Sequence, residues 1–206
     1  MQAPWRRMLE GHQTLQITVV AMVLAIALEL LISRISSLHW TEAGLAEQII
    51  YSLQTLAVFQ ALVFIWLSYG QSVTLIRWRM EYMDALFPFA IGAIIFFMIQ
   101  MIGSHIQAFF WATTGAALGG AGVFRACISQ REYDEESKQI LAELKPRPIY
   151  IAFTLPAAWS LAAALLVKTY NEWAAVVAVL GLNLAIALLS FVFASTVRRL
   201  FSDAPT

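Results

Sequence analysis

Charged residues are scarce in this chain, since Asp, Glu, Lys and Arg together make up 13% of its 206 residues. Soluble globular domains carry about 25% of such residues. In contrast, 60% of the residues are hydrophobic and the mean hydropathy is +0.72. This composition excludes an ordinary water-soluble domain and indicates a chain that lies mostly in a lipid bilayer.

Cysteine and the common catalytic motifs are also nearly absent. Cys127 is the single cysteine, and we interpret it as a packing residue because one thiol forms neither an internal disulfide nor a multi-cysteine metal site. The sequence has no His-x-x-x-His pair, no His-Glu-x-x-His motif, no Gly-x-Ser-x-Gly elbow and no phosphate-binding glycine loop. We therefore expect no catalytic residue, metal or cofactor. The basic residues lack the clustering of a nucleic-acid surface, so we expect no nucleic-acid partner.

What the chain does contain is six apolar stretches, each near the roughly 20 residues that a helix needs to span a bilayer. The stretches cover residues 16–36, 49–69, 84–103, 107–128, 148–168 and 173–197. If they alternate across the membrane from a cytoplasmic N-terminus, only Arg34 and Lys168 of the 13 basic residues lie outside. The basic residues on the cytoplasmic side are then Arg6, Arg7, Arg77, Arg79, Arg125, Arg131, Lys138, Lys145, Arg147, Arg198 and Arg199.

This asymmetry agrees with the positive-inside rule, and a wrong number of helices would not produce it so cleanly. The sequence therefore predicts an all-α polytopic membrane protein: one domain over residues 1–206, a six-helix transmembrane bundle with both termini cytoplasmic. The segment 131–144 is predicted to form an amphipathic cytoplasmic helix. A short chain with few loops favours the plasma membrane, in particular the inner membrane of a bacterium.

Five polar side chains fall inside the predicted spans and are candidates for a hydrophilic path. They are Glu29, Gln54, Gln60, Gln100 and Asn183. An ionised carboxylate at the centre of a span costs about 2.5–3.5 kcal/mol on insertion scales, so Glu29 should face protein or water or be protonated. Alternatively, Glu29 is close enough to the outer interface to snorkel or to pair with Arg34. The four amides could equally form hydrogen bonds between helices.

Other residues suggest a vestibule and packing surfaces. Asp84 opens the third span and is either a carboxylate at a cytoplasmic vestibule or a helix cap. Small residues recur on one face of the fourth and of the sixth span, which predicts close approach of another helix. These packing residues are Gly115, Gly119 and Gly122, and Ala178, Gly181 and Ala185.

The sequence leaves three classes of function open. The first, which we favour, is a small oligomeric channel or transporter for ions or small solutes, in which the five polar side chains converge on water. The second is a non-catalytic accessory, scaffold or effector subunit that acts through a membrane protein partner, with segment 131–144 as a docking site. The third is a membrane enzyme on a lipid-like substrate. In each class the bilayer is a partner, and a homo-oligomer or a complex with another membrane protein is expected.

Overall fold

The computed structural model describes residues 4–75, 82–129, 135–143, 146–167 and 171–202. Within these ranges every regular element is an α-helix, which confirms the all-helical prediction. The seven helices are α1 (Pro4–Ser37), α2 (Leu45–Leu75), α3 (Tyr82–Met101), α4 (Ile106–Ser129), α5 (Glu135–Glu143), α6 (Pro146–Leu166) and α7 (Glu172–Ser202).

Four helices are long and apolar enough to cross a membrane, namely α1, α2, α6 and α7. In α3 the apolar run Leu86–Met101 is shorter than these four. α4 is not in this group. The structure thus supports a multi-pass membrane protein, while the number of six spans and the orientation of the termini remain predictions.

The helix boundaries differ from the predicted spans where local chemistry overrides hydropathy. α3 was expected to continue to Gly103 but ends at Met101, because Gly103 adopts a φ of 71° and turns the chain into α4. Glycine adopts this left-handed conformation without the steric penalty of other residues. The amphipathic segment forms α5 over Glu135–Glu143, and residues 131–134 and 144 lie outside the described residues.

The six long helices form a closed ring in the order α1, α2, α7, α6, α4, α3. α2 and α3 also touch across the ring and divide it into two compartments. The smaller one, between α1, α2 and α3, leaves a narrow apolar crevice with a cavity volume of about 10 Å³. The larger one is enclosed by α2, α3, α4, α6 and α7 and contains most of the core. We call the end of the bundle at the α3–α4 turn the turn end.

Phenylalanines fill the larger compartment at two levels. Phe109 and Phe110 are fully buried near the start of α4, towards the turn end. In the other half, Phe64 packs edge-on against Phe153 and Phe193, with ring centroids 5.9 Å and 5.7 Å apart. Because α2, α6 and α7 meet through these rings, the interior of the bundle is closed.

Glycines allow close helix packing, for example on α4 and α7. A Cβ at Gly120 of α4 would lie 2.8 Å from the Phe153 ring, and a Cβ at Gly181 of α7 would lie 2.2 Å from the Trp159 ring. Trp159 also donates from Nε1 to the carbonyl of Ala178 at 2.7 Å. The small face of α7 is therefore occupied by α6 of the same chain. Ala185, on the same stripe, is buried as well.

The predicted small face of α4 lies elsewhere. Nothing lies within 4 Å of a Cβ placed on Gly115, Gly119 or Gly122, and all three residues are exposed. Within the described residues, Gly120 rather than this face provides the close approach on α4. Contact of Gly115, Gly119 and Gly122 with another chain remains a prediction.

We expect Gly181→Ala to destabilise the bundle, because the new methyl group must displace Trp159 and weaken its bond to Ala178. Overpacking of this kind typically costs about 1–3 kcal/mol. Gly119→Ala is the matched control, since it adds the same methyl group to an open helical position. Thermal unfolding in detergent should show a lower Tm for Gly181→Ala alone, and equal Tm values for the two variants would contradict this packing.

Candidate functional site

The α3–α4 turn is held by side chains from two other helices. Arg34 of α1 donates from Nε and Nη2 to the carbonyl oxygen of Ile102, at 3.0 Å and 2.6 Å. The Oε1 atom of Gln54 in α2 accepts from the N–H of Gly103 at 3.0 Å. The last carbonyls of a helix have no hydrogen-bond partner within the helix and form the negative end of its dipole. A guanidinium group supplies both the missing donors and a positive charge.

Asn183 connects α7 to the same part of α2. Its Nδ2 atom donates to the carbonyl oxygen of Leu53 at 3.0 Å and to that of Val179 in its own helix at 2.9 Å. Leu53 directly precedes Gln54, so the structure brings Gln54 and Asn183 to one short segment of α2. Both residues are almost completely buried, with exposed fractions of 1% and 4%.

Each of these amides uses only part of its hydrogen-bonding capacity. Gln54 Nε2 and Asn183 Oδ1 are buried and have no protein partner. Ser160 of α6 is fully buried, and its Oγ also has no protein partner. A buried polar atom without a partner costs about 1–3 kcal/mol, so each of the three calls for a physical explanation.

The three residues border the same apolar core. Each of the three has a neighbour one helical turn, four residues, away that belongs to a single core cluster. These neighbours are Val58 for Gln54, Ala164 for Ser160 and Val179 for Asn183. We call Gln54, Ser160 and Asn183 the polar layer. Sequence reasoning identified the two amides by their position in apolar spans. It missed Ser160, because a single serine in an alanine-rich helix carries no signal of burial.

The other members of the predicted path lie apart from the polar layer. Glu29 on α1 and Gln100 on α3 are exposed on the outer surface of the bundle. Gln60 is half-buried on α2, and its Oε1 has no protein partner. Arg34, considered as a partner for Glu29, instead bonds to Ile102. Asp84 lies in the first turn of α3, and its side chain is outside the described residues.

The chemistry available in the interior is hydrogen bonding without fixed charge. Among the described residues, the buried polar side chains are amides and hydroxyls: Gln16, Gln54, Thr113, Thr114, Ser137, Ser160 and Asn183. No group of three or more His, Cys, Asp or Glu side chains that could hold a metal ion occurs in the described part of the chain. This lining can orient a polar molecule but offers no acid, base or nucleophile of ordinary strength.

Comparison with known proteins adds no relative, because the sequence matches no protein-family model, no curated protein and no solved structure. The apolar crevice between α1, α2 and α3 presents one polar side chain, that of Tyr69. The polar layer thus remains the candidate site.

We expect Gln54→Leu to destabilise the fold by about 1 kcal/mol, because the N–H of Gly103 loses its partner in apolar surroundings. Ser52→Ala is the control in the same helix, since Ser52 is exposed and its hydroxyl bonds only to the carbonyl of Gln48. Denaturant titration in mixed micelles would measure both changes. A Gln54→Leu protein as stable as Ser52→Ala would show that the turn does not depend on this bond.

Proposed function

We propose that the protein is a small oligomeric channel or transporter, and that the polar layer is the part of its path that contacts the solute. The observation that carries the proposal is the group of buried polar atoms without protein partners, Gln54 Nε2, Ser160 Oγ and Asn183 Oδ1. Polar residues inside a membrane bundle commonly mark solute pathways, since they are otherwise costly to keep there.

The solute that suits this lining is small, polar and uncharged. Amides and a hydroxyl provide both donors and acceptors, and no ionisable side chain is among the buried residues that the structure describes. An ion would need to keep part of its hydration shell or meet charge from elsewhere. The layer can therefore bind a neutral solute by hydrogen bonds without the desolvation cost of a charge.

The path is closed in this conformation, so the proposal requires a change in side-chain packing. Phe109 and Phe110 fill the turn-end half, and Phe64, Phe153 and Phe193 fill the other half. Rotation or displacement of these rings would open the interior to one side at a time. Such gating agrees with a transporter better than with a permanently open pore.

Ser160→Ala separates a role in transport from a role in folding. Because the Ser160 hydroxyl has no protein partner, its removal should leave the Tm unchanged or slightly raised. If the hydroxyl contacts solute, we expect the flux to fall by about threefold or more, the value of a weak hydrogen bond. Stopped-flow swelling of proteoliposomes with urea, glycerol and larger polyols would measure it.

Ser52→Ala serves as the control, since it removes an exposed hydroxyl. Na⁺, K⁺, H⁺ and Cl⁻ gradients tested on the same vesicles would detect an ion pathway instead. Absence of any flux from folded, inserted protein would refute the transport proposal. Equal flux for wild type and Ser160→Ala would remove the polar layer from the path.

The proposed topology has six spans with both termini in the cytoplasm of the cell, and the plasma membrane, in a bacterium the inner membrane, as its location. The basic residues support this topology through the positive-inside rule. In this arrangement the turn end and the loop between α1 and α2 face outwards, and α5 lies on the cytoplasmic side. Leu141 of α5 packs against the second core cluster, so part of the predicted docking helix is used within the chain.

Cysteine labelling tests this topology. In a Cys127→Ser background, we expect Glu42→Cys in the α1–α2 loop to react with a membrane-impermeant maleimide in intact spheroplasts. Lys138→Cys in α5 should react only after the membrane is disrupted. Both positions are exposed in the structure, so burial does not explain a difference. Labelling of Lys138→Cys in intact spheroplasts would contradict the proposed orientation.

A second candidate function is a non-catalytic subunit that acts through a membrane protein partner. The outward position of Glu29 favours it, since a carboxylate on a membrane-facing surface is costly unless another protein covers it. A folded protein without flux, together with photocrosslinks from position 29 to an identified membrane protein, would favour this function over transport.

A further inference from the structure

Two polar side chains face outward from neighbouring helices at membrane depth. Glu29 lies within the apolar span Thr14–Ser37 of α1, and Gln100 lies within the apolar run Leu86–Met101 of α3. Both are exposed, and no hydrogen bond holds either side chain to another described residue. Nothing in the described part of the chain therefore compensates these two groups.

α1 and α3 run in parallel and in a fixed register, which sets the relative height of the two groups. Arg34 binds the carbonyl of Ile102, 68 residues further along the chain. Val23 packs against Gly92, which lies 69 residues further along the chain. By this register Glu29 is level with residues 97–98, and Gln100 lies about 3–5 Å closer to the turn end at 1.5 Å per residue.

The two groups complement each other chemically. A carboxylate only accepts hydrogen bonds when ionised, and the amide nitrogen of glutamine donates two. A hydrogen bond to a charged acceptor is roughly twice as strong as a neutral one. The acceptor and the donor lie on one surface at nearly the same depth. A second copy related by a two-fold axis along the membrane normal therefore places its donor opposite the acceptor of the first copy, and its acceptor opposite the donor.

We infer that the outer face of α1 and α3 binds a second copy of this chain, with Glu29 of each protomer accepting a hydrogen bond from Gln100 of the other. The two-fold axis makes the contact occur twice and keeps each group at its own depth. A different membrane protein with a basic residue would satisfy Glu29 but would leave Gln100 without an acceptor. The inference goes beyond the proposed transport activity and does not depend on it.

Exchanging the two groups tests the pairing. Full-length protein labelled at its C-terminus is reconstituted in liposomes over a range of protein-to-lipid ratios, and single-molecule photobleaching counts the copies. Gln100→Glu opposes two carboxylates, so we expect the dimer Kd to rise at least about tenfold. Glu29→Gln leaves two amides and should weaken the dimer less. The double variant Glu29→Gln with Gln100→Glu restores the pair and should return the Kd to within about threefold of wild type.

Glu42→Gln in the α1–α2 loop is the control, because it makes the same change at an exposed position outside the helices. It should leave the Kd unchanged. The double variant has the same composition as wild type, so its recovery shows that both substitutions are compatible with a folded dimer. Single-step bleaching of wild type at high protein density would overturn the inference. So would a double variant as weak as Gln100→Glu, or a Gln100→Glu protein that dimerises normally.

Discussion

A tight turn between two apolar helices leaves backbone groups without partners, and in a membrane these groups must be satisfied within the protein. Here the carbonyl of Ile102 and the N–H of Gly103 are satisfied by Arg34 and Gln54. These bonds hold α1 and α2 against the α3–α4 hairpin. Asn183 then attaches α7 beside Gln54, so polar side chains of α1, α2 and α7 bind backbone groups in this part of the bundle.

The same side chains that stabilise the bundle leave unused hydrogen-bonding capacity in its interior. The side-chain oxygen of Gln54 accepts a hydrogen bond from the turn, and its amide nitrogen has no protein partner. The side-chain nitrogen of Asn183 donates to Leu53, and its oxygen has no protein partner. Ser160 adds a hydroxyl from α6. In the proposed function, structural and functional demands therefore fall on the same residues, and removing the Ser160 hydroxyl should affect only the second of them. Removing Gln54 affects both, which makes it a poor probe of function by itself.

Much of the fold could be predicted from the sequence, because long apolar runs have few alternatives to helices. The burial of Gln54 and Asn183 follows from the cost of polar groups facing lipid. The outward position of Glu29 could not be predicted, since it depends on which face of α1 packs against α3. Likewise, the glycine spacing predicted close packing at Gly115 and Gly119. The close contact on α4 is instead at Gly120, because Phe153 of α6 packs there. Tertiary contacts of this kind leave no periodic signal in either helix.

The accessibility of the polar layer from water tests the account most directly. Ser160→Cys in a Cys127→Ser background would be treated with a small methanethiosulfonate reagent in sealed, oriented vesicles, with Ala164→Cys, one turn away in the same buried face, as the comparison. If the polar layer lies on a solute path, position 160 reacts measurably and a transported solute slows the reaction, while position 164 remains protected. Protection of both positions, or equal reaction of both, would contradict a path through this layer.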